Sequence, residues 1–340
     1  TDELEGSPHW VFAKFFSGRV YSDEGLTPVG AGETVVLHID GTLYTTTTDA
    51  NGDYVFNEFM AAGSRLLFYL DEASVQGNLV TVASVADLTD LSIYGDRLVV
   101  RNDEAGVGHY TANADIDAAL YLDDDILFSV SGGDLSVTAD ELIVWAADEF
   151  RPEGDVTLSG GLQIDGALYY SGAGTVTLEG DWSNNGTFTS GNSDVVLAGG
   201  GASVVTGSSV FHDLTCAVPG KQITFEAGSV QTVTNDLILT GDGSSKISLL
   251  SSVPGTRWSL DVDTPTGVYH VDVTDSHASG ETITAYNSTG EAQNNLNWIF
   301  DVFEFLTPSD GTVLTPTPTL IGYAGAGQTI EIYATSGGSE

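Results

Sequence analysis

A short apolar run closed by a turn recurs along the middle of this chain, each time in the same orientation. SVTADE (136–141), DVTLSG (155–160), TVTLEG (175–180) and DVVLAG (194–199) align on Val137, Val156, Val176 and Val195, which stand 19, 20 and 19 residues apart. QITFEAG (222–228), DLILTG (236–241) and KISLLSS (246–252) continue the theme at less regular spacing. Further apolar runs lie between them: LIVWA, LQIDGALYY, GTFTS and ASVVTG. Units of about 20 residues are too small to bury a core alone, so they must stack on their neighbours. The expected result is a right-handed parallel β-helix. Residues 91–300 would supply about ten coils, and so a rod of about 50 Å at the spacing of stacked strands. A second antiparallel sandwich, or a pair of them, is the competing structure. The shared orientation and the lack of hairpin dipeptides between units favour the helix.

Composition supports an all-β chain. Gly occurs 41 times in 340 residues against 9 Pro, without a collagen period, which implies many tight turns. Short runs of Thr, Val, Ser and Tyr favour strands, and no long stretch shows a 3.6-residue apolar period. Nine basic residues against 48 acidic ones give a net charge of −39. Such a field repels phosphate backbones and anionic lipid, which excludes nucleic-acid binding. It implies either dense hydration in a saline, extracellular setting or Ca²⁺ held at carboxylate clusters. No apolar run reaches 18 residues, so membrane insertion is not expected. The opening TDELEGSPHW is too acidic and polar for a signal peptide. The single Cys216, in the alternating run HDLTCAV, reads as a small buried hydrophobe.

After an N-terminal arm at 1–9, residues 10–90 read as strands and turns. Val35, Leu37 and Ile39, and again Leu66, Phe68 and Leu70, alternate as in a half-buried antiparallel sandwich. SGRVYSDEG (17–25) and TTTDANGDYVF (46–56) resemble the carboxypeptidase-regulatory-like, or Cna-B-like, modules of bacterial surface proteins. That resemblance implies a spacer or stalk element. Some members of the family carry Lys–Asn isopeptide bonds; Lys14 is the one lysine in this segment, and no partner for it is evident. Residues 301–340 contain TPTPTLIGYAGAGQTIEIY, which resembles the opening of a bacterial Ig-like module. They are expected to form a partial Ig-like segment, either the start of a further domain or a donor strand, with Thr317, Leu320, Ile321, Ile330 and Ile332 as its assembly residues. HWVFAKFF (9–16) and NWIFDVFEF (297–305) echo each other around Trp10 and Trp298, as in one unit of a tandem array.

Several constellations merit weighing as sites. Asp49, Asn51 and Asp53 have the odd-position spacing that opens a calcium loop, but Tyr54 and Met60 stand where an EF-hand needs Gly and Glu. A β-turn at Asn51-Gly52 explains the same residues. Asp123 and Asp125 flank Asp124 in ALYLDDDILF; on a strand they would share a face and could bind Ca²⁺, and otherwise they form a solvated turn. His270 and Asp272, with Asp275 and His277, are the best apparent transition-metal set, and Ser276 beside His277 invites a nucleophile reading. An ordinary exposed strand and turn is the favoured account of them. Asp165 and Glu179 are carboxylates that a glycan-cleaving β-helix would use, yet they fall at different places in a coil, and Lys221 is the lone base across 155–245. Asn185 and Asn287 open glycosylation sequons. Tyr169, Tyr170 and Trp182 could stack sugars or line the core.

The expectation is a non-enzymatic structural protein, extracellular or on a cell surface. It would be a subunit or repeat of a filament, stalk or surface layer, self-associating through end-to-end or strand-exchange contacts. A glycan-binding adhesin and a polysaccharide-active β-helix enzyme are the alternatives.

Overall fold

The computed structural model describes residues 13–301, apart from 105, 107, 264–266 and 291. The arm at 1–9, Trp10 and the assembly residues Thr317, Leu320, Ile321, Ile330 and Ile332 lie outside the described residues. The described chain is nearly all β, with long stacks of parallel strands in a solenoid-like arrangement.

Between Asp134 and Ala278 the chain makes seven coils, each contributing one strand to each of three faces. The coil at 156–169 is representative: Val156–Leu158, Gly161–Ile164 and Ala167–Tyr169. The first strands stack in a ten-stranded sheet and the second in a twelve-stranded sheet. The third strands are split between a three-stranded and a four-stranded sheet. Val156 and Leu158 turn inward and Thr157 outward, and the next coil repeats this with Val176, Leu178 and Thr177. The inward residues join one continuous apolar core from Phe128 to Ala285.

The expected repeat is correct from Val156 through Val176 to Val195, which pair in register. It slips at the first unit. Leu135, not Val137, pairs with Val156. A two-residue slip leaves the same side chains facing inward, so the hydrophobic pattern alone does not detect it. Later steps lengthen, with Leu214 opposite Leu237 and Leu239 opposite Val268. The extra residues sit at corners, where they leave the ladder intact. Seven full coils stand against the expected ten because, among the described residues, neither 91–133 nor 279–300 completes a three-strand coil.

The corners explain part of the glycine excess. A Cβ on Gly186 would lie 2.0 Å from the carbonyl oxygen of Gly166 in the coil below, so stacked corners exclude any side chain there. Corner aspartates staple coil to coil: Asp134 accepts from the amide of Asp155, and Asp155 from that of Thr175, at 3.0 and 2.8 Å. Lys221 is folded inward, its Nζ donating to the carbonyls of Ala198, Gly199 and Gly201. Cys216 lies in the core, as expected.

The N-terminal part departs from a free-standing half-buried sandwich. Strands β1 (Lys14–Tyr21), β2 (Thr34–Ile39), β3 (Thr42–Thr47), β4 (Asp53–Glu58), β5 (Arg65–Asp71), β6 (Asn78–Val82), β7 (Ile93–Tyr94) and β8 (Arg97–Val100) form two layers. One layer is β4-β1-β7. The other is β3-β2-β5-β6-β8, and it runs without a break into the twelve-stranded sheet of the coils. No gap in the sheet marks residue 90. Its outer face carries Val35, Leu37, Ile39, Leu66, Phe68 and Leu70 against the small sheet. Its inner face carries Val36, Leu67, Tyr69, Val80 and Leu98 into the solenoid core. A sheet covered on both faces needs unbroken apolar strands, and RLLFYLD and NLVTV supply them.

A helix that the sequence pattern did not announce, α1 (Asn113–Ala119), lies over β5, β6 and β9 (Phe128–Ser131). Ile116 and Ala119 enter the core, and Asp115 accepts from the Ala112 amide and pairs with Arg65 at 2.8 Å. Two helical turns are too few to establish a 3.6-residue period.

Candidate functional site

Among the described residues, three carboxylates converge where β5 ends against the chain entering the solenoid. Asp71 closes β5, and Asp123 and Asp125 come from the segment that leads into β9. One carboxylate oxygen from each lies within 4.8 Å of the others. Asp123 and Asp125 converge as expected, but through a turn rather than a strand: the amide of Asp125 donates to Asp123 Oδ1 at 3.1 Å.

The turn is anchored from the N-terminal strands. Tyr69 Oη donates to Asp123 at 3.1 Å, and the Glu72 amide and Gln76 Nε2 donate to Asp125 at 2.8 and 3.1 Å. Asn78 donates to the carbonyl of Asp125 and accepts from the amide of Leu127. Asp125 is only 8% exposed. Among the described residues no Lys, Arg or His forms an ion pair with these carboxylates. Burial, together with Asp123, Asp125 and Asp124, raises the pKa of Asp71 above the usual carboxylate range. An all-oxygen donor set with a surplus of negative charge suits a hard divalent cation such as Ca²⁺ rather than a thiophilic or imidazole-seeking metal. Asp71 is the residue that the sequence reading missed. It lies some fifty positions from the acidic triplet and ends an apolar strand, so only the fold brings it there.

The other candidates have different fates. Asp49 Oδ1 accepts from the amides of Asn51 and Asp53 at 2.8 and 3.0 Å, closing a turn with Gly52 at φ 79°. Asp53 is bidentate with Arg19, at 2.6 and 3.0 Å, which holds its pKa low. These residues are engaged as a turn and an ion pair rather than gathered as cation ligands.

His270 does not share a strand face with Asp272, because it occupies a corner at φ 52° between Val268–Tyr269 and Val271–Val273. Asp272 accepts from Thr289, and Asp275 from the Gly255 amide and Asn294. Ser276 is buried and accepts from Trp298 Nε1 at 3.1 Å. Asp165 takes hydrogen bonds from Gln163 and Asn185 at the corner after the second strand of its coil, whereas Glu179 sits at the corner after the first strand of the next. Asn185 is exposed and Asn287 half-buried.

Trp182 is in the core against Phe188 and Phe211, and Tyr170 is buried, so neither offers a face to a sugar. Tyr169 is half-buried and covered by Arg151, whose guanidinium sits 4.7 Å from its ring centre and 4.3 Å from that of Tyr110. Among the described residues no helix is long and apolar enough to cross a membrane.

No family model, curated protein or solved structure matches the chain.

Proposed function

We propose that this chain is a non-enzymatic structural protein of a cell surface or extracellular filament. It would act as a stiff unit that self-associates through end-to-end or strand-exchange contacts. The observation that carries this reading is the twelve-stranded sheet, one hydrogen-bonded ladder from β3 to the seventh coil, with its N-terminal half clamped between two apolar cores. Load applied along such a stack is shared by many backbone hydrogen bonds.

The proposal includes a carboxypeptidase-regulatory-like unit in the first ninety residues and Ca²⁺ at Asp71, Asp123 and Asp125, where it would tie that unit to the solenoid. A repeated array gains support from a second internal echo. GAGETV (30–35), which leads into β2, recurs as GAGQTI at 325–330.

A glycan-binding reading has one observation in its favour. Arg151, Glu153, Tyr169 and Ser171 help line a recess of about 310 Å³ on the flank of the coils. Negative-stain microscopy of the purified chain, with and without Ca²⁺, tests the main reading. Linear or sheet-like assemblies are expected; isolated particles under every salt and Ca²⁺ condition overturn it.

A further inference from the structure

The twelve-stranded sheet ends at β3, and no strand among the described residues meets its outer edge. The β2–β3 hairpin turns on Asp40 and Gly41, at φ 45° and 89°, the two-residue geometry that makes Ile39 and Thr42 a hydrogen-bonded closing pair. Alternation then points the backbone groups of Thr42, Tyr44 and Thr46 at β2. Those of Leu43, Thr45 and Thr47 point outward. The Thr48 amide donating to the Glu33 carbonyl fixes the same alternation at the far end.

Natural edges are usually blunted by charge, proline, a bulge or shortness. This one has none of these. TLYTTT is six residues long and uncharged, in a chain with 48 carboxylates. Three other edges among the described residues carry such protection: β4 has Asp53 and Glu58, Trp298–Asp301 ends in an aspartate, and β9 lies against α1.

We propose that β3 pairs antiparallel with β3 of a second copy, about a two-fold axis through Thr45. Thr45 would face Thr45 of the second copy, and Leu43 would face its Thr47, giving about six inter-chain backbone hydrogen bonds at two per pair. The lack of charge on β3 permits this partner, although each copy is acidic overall. At a net −39, any strand bearing carboxylates meets repulsion, whereas β3 brings only threonine, tyrosine and leucine to itself. Threonine opposite threonine is a favourable cross-strand pair. The contact is closed, so it joins two copies and no more. It deepens the self-association proposed above and rests on it.

The test uses the full chain. Thr45→Cys places a thiol on the axis, where paired Cα atoms stand about 5.5 Å apart, within disulfide reach. Mild oxidation should give a covalent dimer, whereas Thr187→Cys, on an exposed coil strand, should not. Thr45→Pro removes an N–H that β2 does not use, and Thr45→Lys sets two cations against each other. Both should sediment as monomers, with the native far-UV circular dichroism of Thr45→Lys unchanged. A dimer that persists in both variants overturns the β3 pairing, and linear assemblies formed by Thr45→Lys would still leave the filament reading standing. A wild-type chain that is monomeric and forms no assemblies overturns both.

Discussion

Strand β5, RLLFYLD, and the coil strand Thr175–Leu178, TVTL, sit at different depths. In β5, five consecutive side chains are buried; in the coil strand, only Val176 and Leu178 are. The difference is the number of cores. β5 separates the small sheet from the solenoid interior, so Leu66 and Leu67 point into different clusters. The coil strand has core on one side and solvent on the other. The two strands lie in different sheets, β5 in the twelve-stranded and Thr175–Leu178 in the ten-stranded, and the depth of each follows from what covers its two faces.

The largest expected effect breaks that comparison directly. Leu66→Ala and Leu67→Ala should each cost about 2–5 kcal/mol, because each empties a different core. In the coil, Leu178→Ala should cost a similar amount, and its neighbour Thr177→Ala should stay within about 0.5 kcal/mol. Denaturant unfolding of the four variants reads the difference. A near-neutral Leu67→Ala would mean that β5 is not buried on its second face.

Much of this was legible in the sequence, for a physical reason. The solenoid announces itself through a period, and the period survives because Val156, Val176 and Val195 must stack in register. The fused N-terminal sheet has no period to announce. Leu66, Phe68 and Leu70 satisfy an alternating pattern, and the intervening Leu67 and Tyr69 are informative only when a second core is considered. The candidate site was half legible. The acidic triplet is conspicuous, but Asp71 comes from a different element and its carboxylate joins the cluster only through the packing of β5 against the turn. The hairpin residues near Asp49 mimic ligand spacing because a turn also places acceptors at alternate positions.

The cluster lies at the seam of the two regions, so a bound ion should strengthen their junction. At Ca²⁺ tenfold above its dissociation constant, the gain is about 1.4 kcal/mol. Thermal unfolding in chelator and then in Ca²⁺ should show a rise in melting temperature for the wild-type chain and for Asp49→Asn. Asp71→Asn and Asp123→Asn should abolish it. An equal rise in Asp71→Asn would place the ion elsewhere on this acidic surface.

The smallest effect concerns Glu141, on the first coil strand to pair with β8. Arg97 lies between it and Glu24, at 3.3 and 2.6 Å. Burial foremost, and then Glu24, push the Glu141 carboxyl up to about 7, against the pull of Arg97. A carboxyl whose pKa is raised on folding contributes stability that is fully present below its unfolded value of 4.5 and is lost as pH rises through about 7. Glu141→Gln removes that contribution, so the wild-type chain should lose stability relative to the variant between pH 4.5 and 7. Asp148, raised by burial to about 6, has the same sign and leaves a residual slope in the variant that ends at lower pH. Melting temperatures of the two proteins across this range separate the groups. Parallel curves would show that the Glu141 carboxylate is as well solvated as those on the open coil faces, and that the seam between the regions is wetter than its packing implies.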